Sequence, residues 1–334
     1  MQNQTTIPVA PATPLDPATD PRIESNTRTF LNALNAGDGK PMEQLSPVDA
    51  RAVLTGAQSS VQVDLSGIEV AEKTITHEGQ KVRLHIVKPQ GKTGILPVFM
   101  FFHGGGWVLG DFPTHQRLVR DLVVASEAAA VFVDYTPSPE AHYPVAINQA
   151  FAATQWVAAH GNEIGVDSKR LAVVGNSVGG NMAAVIALKA LEMRGPAMKL
   201  QVLMWPVTDA NFNTSSYQEF ATGRFLTKNM MKWFWENYTP DEKDRRQIYA
   251  SPLQATHEQL KGLPPAVVLT AENDVLRDEG EAYARKMDEA GVAVTAMRYN
   301  GMIHDWGLLN PLAAIPGTHS AMLMVGSELK KALA

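Results

Sequence analysis

The chain has 334 residues, of which 45% are hydrophobic and 19% are charged, and this composition excludes a disordered, collagen-like or coiled-coil protein. The 29 basic and 34 acidic residues give a net charge of −5. They form no long run of one sign, so the chain lacks a basic stripe for a phosphate backbone and nucleic acid is excluded as a partner. The absence of cysteine excludes disulfides and thiolate chemistry.

Residues 1–22 contain five prolines, which cannot sustain a helix or a strand ladder, and they predict a flexible N-terminal arm. This segment lacks the basic and apolar regions of a secretory signal, and no stretch of 18 apolar residues occurs in the chain. We therefore expect a cytoplasmic protein without integral membrane association.

Residues 23–57 carry apolar side chains at helical spacing, interrupted by the turn at Gly37–Gly39, and they predict two short amphipathic helices. The alternating segments Val70–Ile75 and Val82–Val87 predict an antiparallel hairpin at the edge of a sheet. Six short apolar runs follow, separated by segments of helix length. Such runs are typical of strands covered on both faces by the helices of a parallel α/β sheet. The six runs are 97–102, 129–133, 171–174, 202–205, 266–270 and 292–297.

One connection interrupts this alternation. Residues 206–263 separate two predicted strands and are rich in aromatic side chains. A segment of this length is too long for a simple loop, so it predicts a lid or a second layer.

The string Gly175-Asn176-Ser177-Val178-Gly179-Gly180 lies between a predicted strand and a predicted helix. A serine on a tight strand-to-helix turn needs small neighbours, and this G-x-S-x-G pattern is typical of a nucleophile elbow. The alternatives are a glycine-rich turn that only tightens the connection, or a nucleotide-binding loop.

His103-Gly104-Gly105-Gly106-Trp107 follows the first buried strand. Consecutive glycines present unobstructed backbone N–H groups, which acyl transfer requires as donors to a developing oxyanion. The alternative is a flexible turn without a ligand. We expect His103 itself to hold the loop by hydrogen bonds.

A nucleophilic serine requires a base that is oriented by an acid. Among nine histidines, His304 comes just after the last predicted strand, and Asp274 follows the strand before it. Asp209 is the alternative acid. The order Ser177, Asp274, His304 is that of the α/β-hydrolases.

These motifs resemble the hormone-sensitive-lipase-like family of bacterial carboxylesterases, within the α/β-hydrolase fold. The resemblance implies a mostly parallel eight-stranded sheet flanked by helices, with a helical cap. The core would comprise residues 58–206 and 248–334, and the cap would comprise helices in 23–57 and an insertion at 207–247. The matching stretches are 103–111, 133–135, 175–180, 263–280 and 301–306.

The resemblance also implies the site. Ser177 would be the nucleophile, His304 the base and Asp274 the orienting acid. Backbone N–H groups of the glycine loop and of the residue after the serine would form the oxyanion hole, which we assign to Gly104, Gly105, Gly106 and Val178. The family needs no cofactor or metal, its partner is a small ester substrate, and its members often form dimers, so a homodimer is an open expectation.

Two motifs depart from the family pattern. Asn176 and Val178 stand where the elbow is usually GDSAGG, and Thr136 replaces the arginine of the usual YRLAPE. We expect the oxyanion hole to survive, because it uses only the backbone of Val178. A structural hydrogen bond of the missing arginine must be absent or replaced.

Aromatic residues near the expected cap suggest an apolar substrate pocket, although they could equally form the cap's own core. The predicted reaction is hydrolysis of short- to medium-chain or aryl carboxylic esters through an acyl-enzyme. The alternatives are a related hydrolase of amides, lactones or carbamates, or a non-catalytic small-molecule-binding protein of the same fold. The residues assigned to substrate binding are Trp107, Phe30, Trp233, Phe234 and Tyr238.

Overall fold

A computed structural model describes residues 15–334 of the chain. Its eight-stranded sheet has the order β1-β2-β4-β3-β5-β6-β7-β8. Strand β2 is antiparallel to both β1 and β4, and the other neighbours are parallel, so the predicted α/β class and edge hairpin are confirmed. The strands are β1 (Ile68–His77), β2 (Gln80–Pro89), β3 (Leu96–Phe102), β4 (Ala129–Asp134), β5 (Val166–Asn176), β6 (Leu200–Met204), β7 (Ala266–Asn273) and β8 (Val294–Ile303).

Helices connect these strands and cover the sheet on both faces. Four short helical turns supplement them, at Met42–Gln44, Gly161–Ile164, Pro252–Gln254 and Asn310–Leu312. The helices are α1 (Ser25–Asn35), α2 (Pro47–Ser59), α3 (Phe112–Ser126), α4 (Val145–His160), α5 (Val178–Glu192), α6 (Ser215–Glu219), α7 (Lys228–Tyr238), α8 (Glu242–Arg245), α9 (His257–Leu260), α10 (Arg277–Glu289) and α11 (Pro316–Ala332).

Strand β3 shows why the buried strands have nearly continuous apolar sequences. Val98, Met100 and Phe102 point into the core beneath α4, α5 and α10. Phe99 and Phe101 point into the opposite core, beneath α3 and α11. Successive side chains of a strand alternate between faces, so a strand covered on both sides must be apolar at every position.

The carboxyl edge of the sheet gathers the three residues proposed for the triad. Ser177 directly follows β5, Asp274 directly follows β7, and His304 directly follows β8. Strand β8 was predicted to end at residue 297 but continues to Ile303, pairing with β7 through a register shift near Ala271. This extension carries His304 to the same edge as the other two residues.

Part of the predicted N-terminal arm makes defined contacts in the structure. Residues 1–14 of the expected flexible arm lie outside the described residues. Residues 15–22 are held in place, because the buried carboxylate of Asp20 accepts hydrogen bonds from Arg22 and Arg224. A proline-rich segment can still be anchored when a single charge in it finds buried partners.

Within residues 15–334, none of the helices combines the length and the apolar character needed to cross a membrane.

Candidate active site

Ser177 occupies a strained turn between β5 and α5. Its φ of +56° and ψ of −121° are rare for a residue with a side chain. The turn is held at both ends, since the Ser177 N–H donates to the carbonyl of Met204 at 2.9 Å and its carbonyl accepts from Asn181 at 3.1 Å. These hydrogen bonds to the end of β6 and to α5 hold the strained backbone in place, as a nucleophile elbow requires.

His304 lies between Ser177 and Asp274. Its Nε2 is 2.9 Å from the Ser177 hydroxyl oxygen, and its Nδ1 is 2.7 Å from Oδ2 of Asp274. All three side chains are buried. Oδ1 of Asp274 also accepts the N–H of Leu276 at 3.0 Å, which fixes the carboxylate. With Nδ1 protonated toward Asp274, Nε2 is free to accept the serine proton.

Two carboxylates set the protonation of His304. Burial lowers the pKa of this imidazole, but the charges of Asp274 and Asp305, with the hydrogen bond to Asp274, outweigh burial and raise the pKa above its ordinary value of 6.5. The site therefore favours the imidazolium, the form that the base takes after it accepts a proton.

The glycine loop has the backbone conformation that amide presentation requires. Gly105 and Gly106 have φ values of +102° and +65°, and an added Cβ at Gly106 would overlap the ring of Phe234. Across the described residues, the N–H groups of Gly105, Gly106 and Val178 have no hydrogen-bond acceptor. Val178 is the first residue of α5, where N–H groups lack partners within the helix and the dipole favours an anion.

Gly104 differs from its predicted role. Its N–H donates to Oδ1 of Asn176 at 3.0 Å. A donor that is already bound to a side chain is not available to an oxyanion, so we reassign Gly104 to holding the loop. The three remaining amides are the candidate donors.

His103 has the structural role expected of it. The ring is buried, its Nδ1 is 2.8 Å from the Gly104 carbonyl, and it stacks on Tyr135 at 4.1 Å between ring centroids. Burial lowers the pKa of His103, which favours its neutral form.

Sequence reasoning missed Arg51 of α2. This guanidinium donates to the carbonyls of Val108 and Ser138 at 2.7 and 3.0 Å and makes two hydrogen bonds of 2.7 Å to Glu140. Arg51 thus ties the segment after the glycine loop to α2 and supplies an arginine near the segment where Thr136 departs from the family pattern. The missing arginine at position 136 indicated in the sequence that another residue replaces it. The neighbouring sequence did not identify which distant arginine this is. Thr136 itself pairs with Gln149.

The five aromatic residues assigned to substrate binding divide into three groups. Trp107 and Tyr238 are fully buried and stacked at 3.9 Å between centroids, which joins the glycine loop to α7 and encloses both rings in the core. Phe234 packs against Gly106, and the half-buried Trp233 packs against Phe234. Phe30 is the member that lines a cavity, described next.

A mainly apolar cavity of about 420 Å³ lies between the N-terminal helices and the segment before α7. Met230, on its wall, precedes Phe234 by four residues on α7. Phe234, which packs against Gly106, thus lies one helical turn after Met230 on the same helix. The apolar lining of the cavity includes Phe30, Leu34, Met42, Leu45, Leu54, Phe225 and Met230.

Asp209, the alternative acid, binds Nε2 of Gln254 at 2.9 Å, whereas Asp274 binds the imidazole. Among residues 15–334, no cluster of three or more His, Asp or Glu side chains is arranged to hold a metal ion.

Comparison with known proteins identifies the family. A family model described as the alpha/beta hydrolase fold matches residues 99–308, which include the glycine loop, the elbow and His304. Carboxylesterase NlhH of Mycobacterium tuberculosis is 33% identical over 320 residues, covering 95% of this chain and 97% of that protein. The chain belongs to the hormone-sensitive-lipase-like carboxylesterases of the α/β-hydrolase fold.

Two further proteins resemble this carboxylesterase. Ethyl acetate hydrolase of Pseudomonas putida is 32% identical over 261 residues, covering 77% of this chain and 81% of that protein. The crystal structure of a thermostable esterase from Pseudomonas putida ECU1011 superposes with a TM-score of 0.93 at 70% identity, covering 94% of this chain and 98% of that one.

Proposed function

We infer that this carboxylesterase hydrolyses its esters through Ser177 as nucleophile, His304 as general base and Asp274 as orienting acid. One observation carries the assignment: the two hydrogen bonds of 2.7 and 2.9 Å that link Asp274, His304 and Ser177 in a line. A nucleophile, a base within hydrogen-bond reach and an orienting acid are the parts that serine acyl transfer requires.

In the first half of the reaction, the Ser177 oxygen attacks the ester carbonyl while its proton passes to Nε2 of His304. The tetrahedral intermediate then collapses, the carbon–oxygen bond to the alcohol breaks, and His304 protonates the leaving alcohol. In the second half, water attacks the acyl-serine in the same way. The carboxylic acid leaves, and Ser177 regains its proton from His304.

The oxyanion of each intermediate is stabilised by the N–H groups of Gly105, Gly106 and Val178. These amides meet the requirement for preorganised donors, because the loop and the helix start hold them before the substrate arrives. Removing one such donor from an acyl-transfer enzyme typically costs 10²- to 10³-fold in turnover.

The substrates are short- to medium-chain or aryl carboxylic esters. The cavity of about 420 Å³ that Met230 of α7 helps to line accommodates a small apolar group and is too small for three long chains. The name of ethyl acetate hydrolase supports a short acyl group. A homodimer and a cytoplasmic location stay predictions, to be checked by light scattering and by cell fractionation.

The test is hydrolysis of p-nitrophenyl esters from acetate to palmitate by wild type, Ser177→Ala and the control Ser320→Ala, which changes an exposed serine of α11. We expect Ser177→Ala to lose on the order of 10⁶-fold in kcat. The control should match wild type. A loss below about tenfold would exclude Ser177 as the nucleophile.

Labelling separates a failed assignment from an unsuitable substrate. A phosphonate ester that reacts with activated serines should add its mass to the peptide containing Ser177. Labelled protein that is inert toward the ester series would redirect the substrate search to amides, lactones or carbamates. Folded wild-type protein that resists both labelling and turnover would support a binding protein instead.

A further inference from the structure

Asp305, next to His304, is a buried acid in an unusual backbone conformation. Its φ is +59°, in the left-handed region that few residues with side chains adopt. Its Oδ1 accepts hydrogen bonds from Nε1 of Trp205 at 2.6 Å and from Nδ2 of Asn176 at 3.2 Å. Its other oxygen, Oδ2, lies 3.7 Å from Nε2 of His304. The mechanism above does not use this carboxylate.

Asn176 connects Asp305 to the glycine loop. Its side-chain oxygen, Oδ1, accepts the N–H of Gly104, and its side-chain nitrogen, Nδ2, donates to Asp305. The amide orientation follows from these partners, because only an oxygen can accept from Gly104 and only a nitrogen can donate to a carboxylate. A carboxylate at position 176, as in the usual GDSAGG elbow, would face Asp305 without a donor between them.

We propose that Asp305 is a positioning residue for the esterase reaction: through Asn176 it holds the glycine loop in place, and its carboxylate stabilises the imidazolium that His304 forms when Ser177 attacks. The proposal rests on the roles assigned above to Ser177 and His304. It makes the neighbours Asn176 and Asp305 one functional pair, with the donor at one position and the charge at the other.

The charges around His304 support the electrostatic part. Asp274 faces Nδ1 from the loop after β7, and Asp305 faces Nε2 from the loop after β8. The uncharged hydroxyl of Ser177 faces Nε2 from the elbow. Among the described residues, these two acids are the charged groups that act on His304, and both raise its pKa. Since Asp305 lies on the Nε2 side, its charge acts at the nitrogen that takes up the proton.

The test compares three variants with wild type and with the control Asp288→Asn, which changes an exposed acid of α10. Asp305→Asn removes the charge with little change of shape. Asn176→Asp places two carboxylates against each other. The double variant removes the repulsion between the two carboxylates and moves the remaining charge away from His304.

We expect Asn176→Asp to lose at least about 10²-fold in kcat, because repulsion displaces the loop that holds the oxyanion donors. Because the double variant removes this repulsion, it should recover part of the loss. In both Asp305→Asn and the double variant, the midpoint of the kcat/KM pH profile should move to lower pH. A purely structural role for Asp305 would leave that midpoint unchanged.

Two results would overturn the proposal: a pH midpoint in Asp305→Asn equal to that of wild type, or an Asn176→Asp defect that the second substitution does not relieve. If Asp305→Asn alone fails to fold, the double variant provides the same pH comparison. Phosphonate labelling of wild type distinguishes a failure of the proposed function from a failure of the role proposed for Asp305. Absence of labelling at Ser177 contradicts the proposed function, whereas normal labelling with unaltered variants contradicts only the role of Asp305.

Discussion

Asp20 and Arg224 form a buried ion pair, with 2.6 Å between the carboxylate and the guanidinium and almost no solvent exposure of either side chain. The pair joins the segment before α1 to the segment before α7, so two parts of the chain that are 204 positions apart hold each other. Arg22 adds a second contact to the same carboxylate at 2.8 Å.

We expect Asp20→Ala to lower the free energy of unfolding by about 3 kcal/mol, because it leaves a buried guanidinium without its counter-charge. Urea denaturation would measure the change. Asp16→Ala, at an exposed acid four residues earlier, is the matched control. A loss for Asp20→Ala no larger than that of the control would show that the pair does not contribute.

The same ion pair should make the free energy of unfolding depend on pH. Burial alone would raise the pKa of Asp20, but hydrogen bonds from Arg22 and Arg224 outweigh it and lower the pKa to about 2. The stabilisation, roughly 2–3 kcal/mol, is therefore complete above the unfolded pKa of about 3.9 and is lost as pH falls toward 2. Denaturation curves of wild type and Asp20→Ala between pH 2 and 5 should converge at the acid end. Parallel curves would contradict this.

Esterase activity should rise with pH through the ionisation of His304. Catalysis needs the neutral imidazole, and the nearby acids raise the pKa of His304 above 6.5, so half-maximal kcat/KM should occur above pH 6.5. Removing the Asp274 charge with Asp274→Asn should lower turnover by about 10⁴-fold, as expected when the base loses its orienting acid. A rate independent of pH between 5 and 9 would argue against an imidazole base.

Gly106→Ala should reduce kcat by about 10²-fold or more, since the new methyl group would collide with Phe234 and displace an oxyanion donor. Gly56→Ala is the control variant for this prediction. Gly56 is exposed within α2 with open space around it, so this change should raise the free energy of unfolding by up to about 1 kcal/mol without altering kcat. Equal kinetics in both variants would contradict the proposed oxyanion hole.

Arg51→Ala should lower kcat/KM by about tenfold, because the Val108 carbonyl and Glu140 lose their shared guanidinium. Arg51→Lys should not restore activity, since an ammonium cannot reproduce the planar, bidentate contact. Arg285→Ala, at an exposed arginine of α10, is the control. Full activity of the lysine variant would show that only the charge matters.

Met42→Trp should narrow the range of substrates by filling the cavity beside Phe30 and Met230. We expect kcat/KM for p-nitrophenyl octanoate to fall at least about tenfold relative to acetate, since each methylene contributes roughly 1–3 kcal/mol of discrimination. Phe30→Ala should shift the ratio the other way. If both variants keep the wild-type ratio, the acyl group binds elsewhere.

The sequence alone predicted the α/β class, the eight strands, the elbow, the glycine loop and the order Ser177, Asp274, His304. These features have local causes. Strands buried on both faces are apolar at every position, and tight turns or exposed amides require glycine. Because parallel strands share a carboxyl edge, residues that follow them can be expected to meet.

The contacts that refine the site were decided only by the tertiary structure. The capture of the Gly104 amide by Asn176, the support from Arg51 and the position of Asp305 all join residues 57 to 129 positions apart. The stacking of Trp107 on Tyr238 likewise depends on where α7 packs. Such contacts leave no periodic pattern in the chain, since each depends on side-chain geometry that exists only after the sheet and cap have assembled.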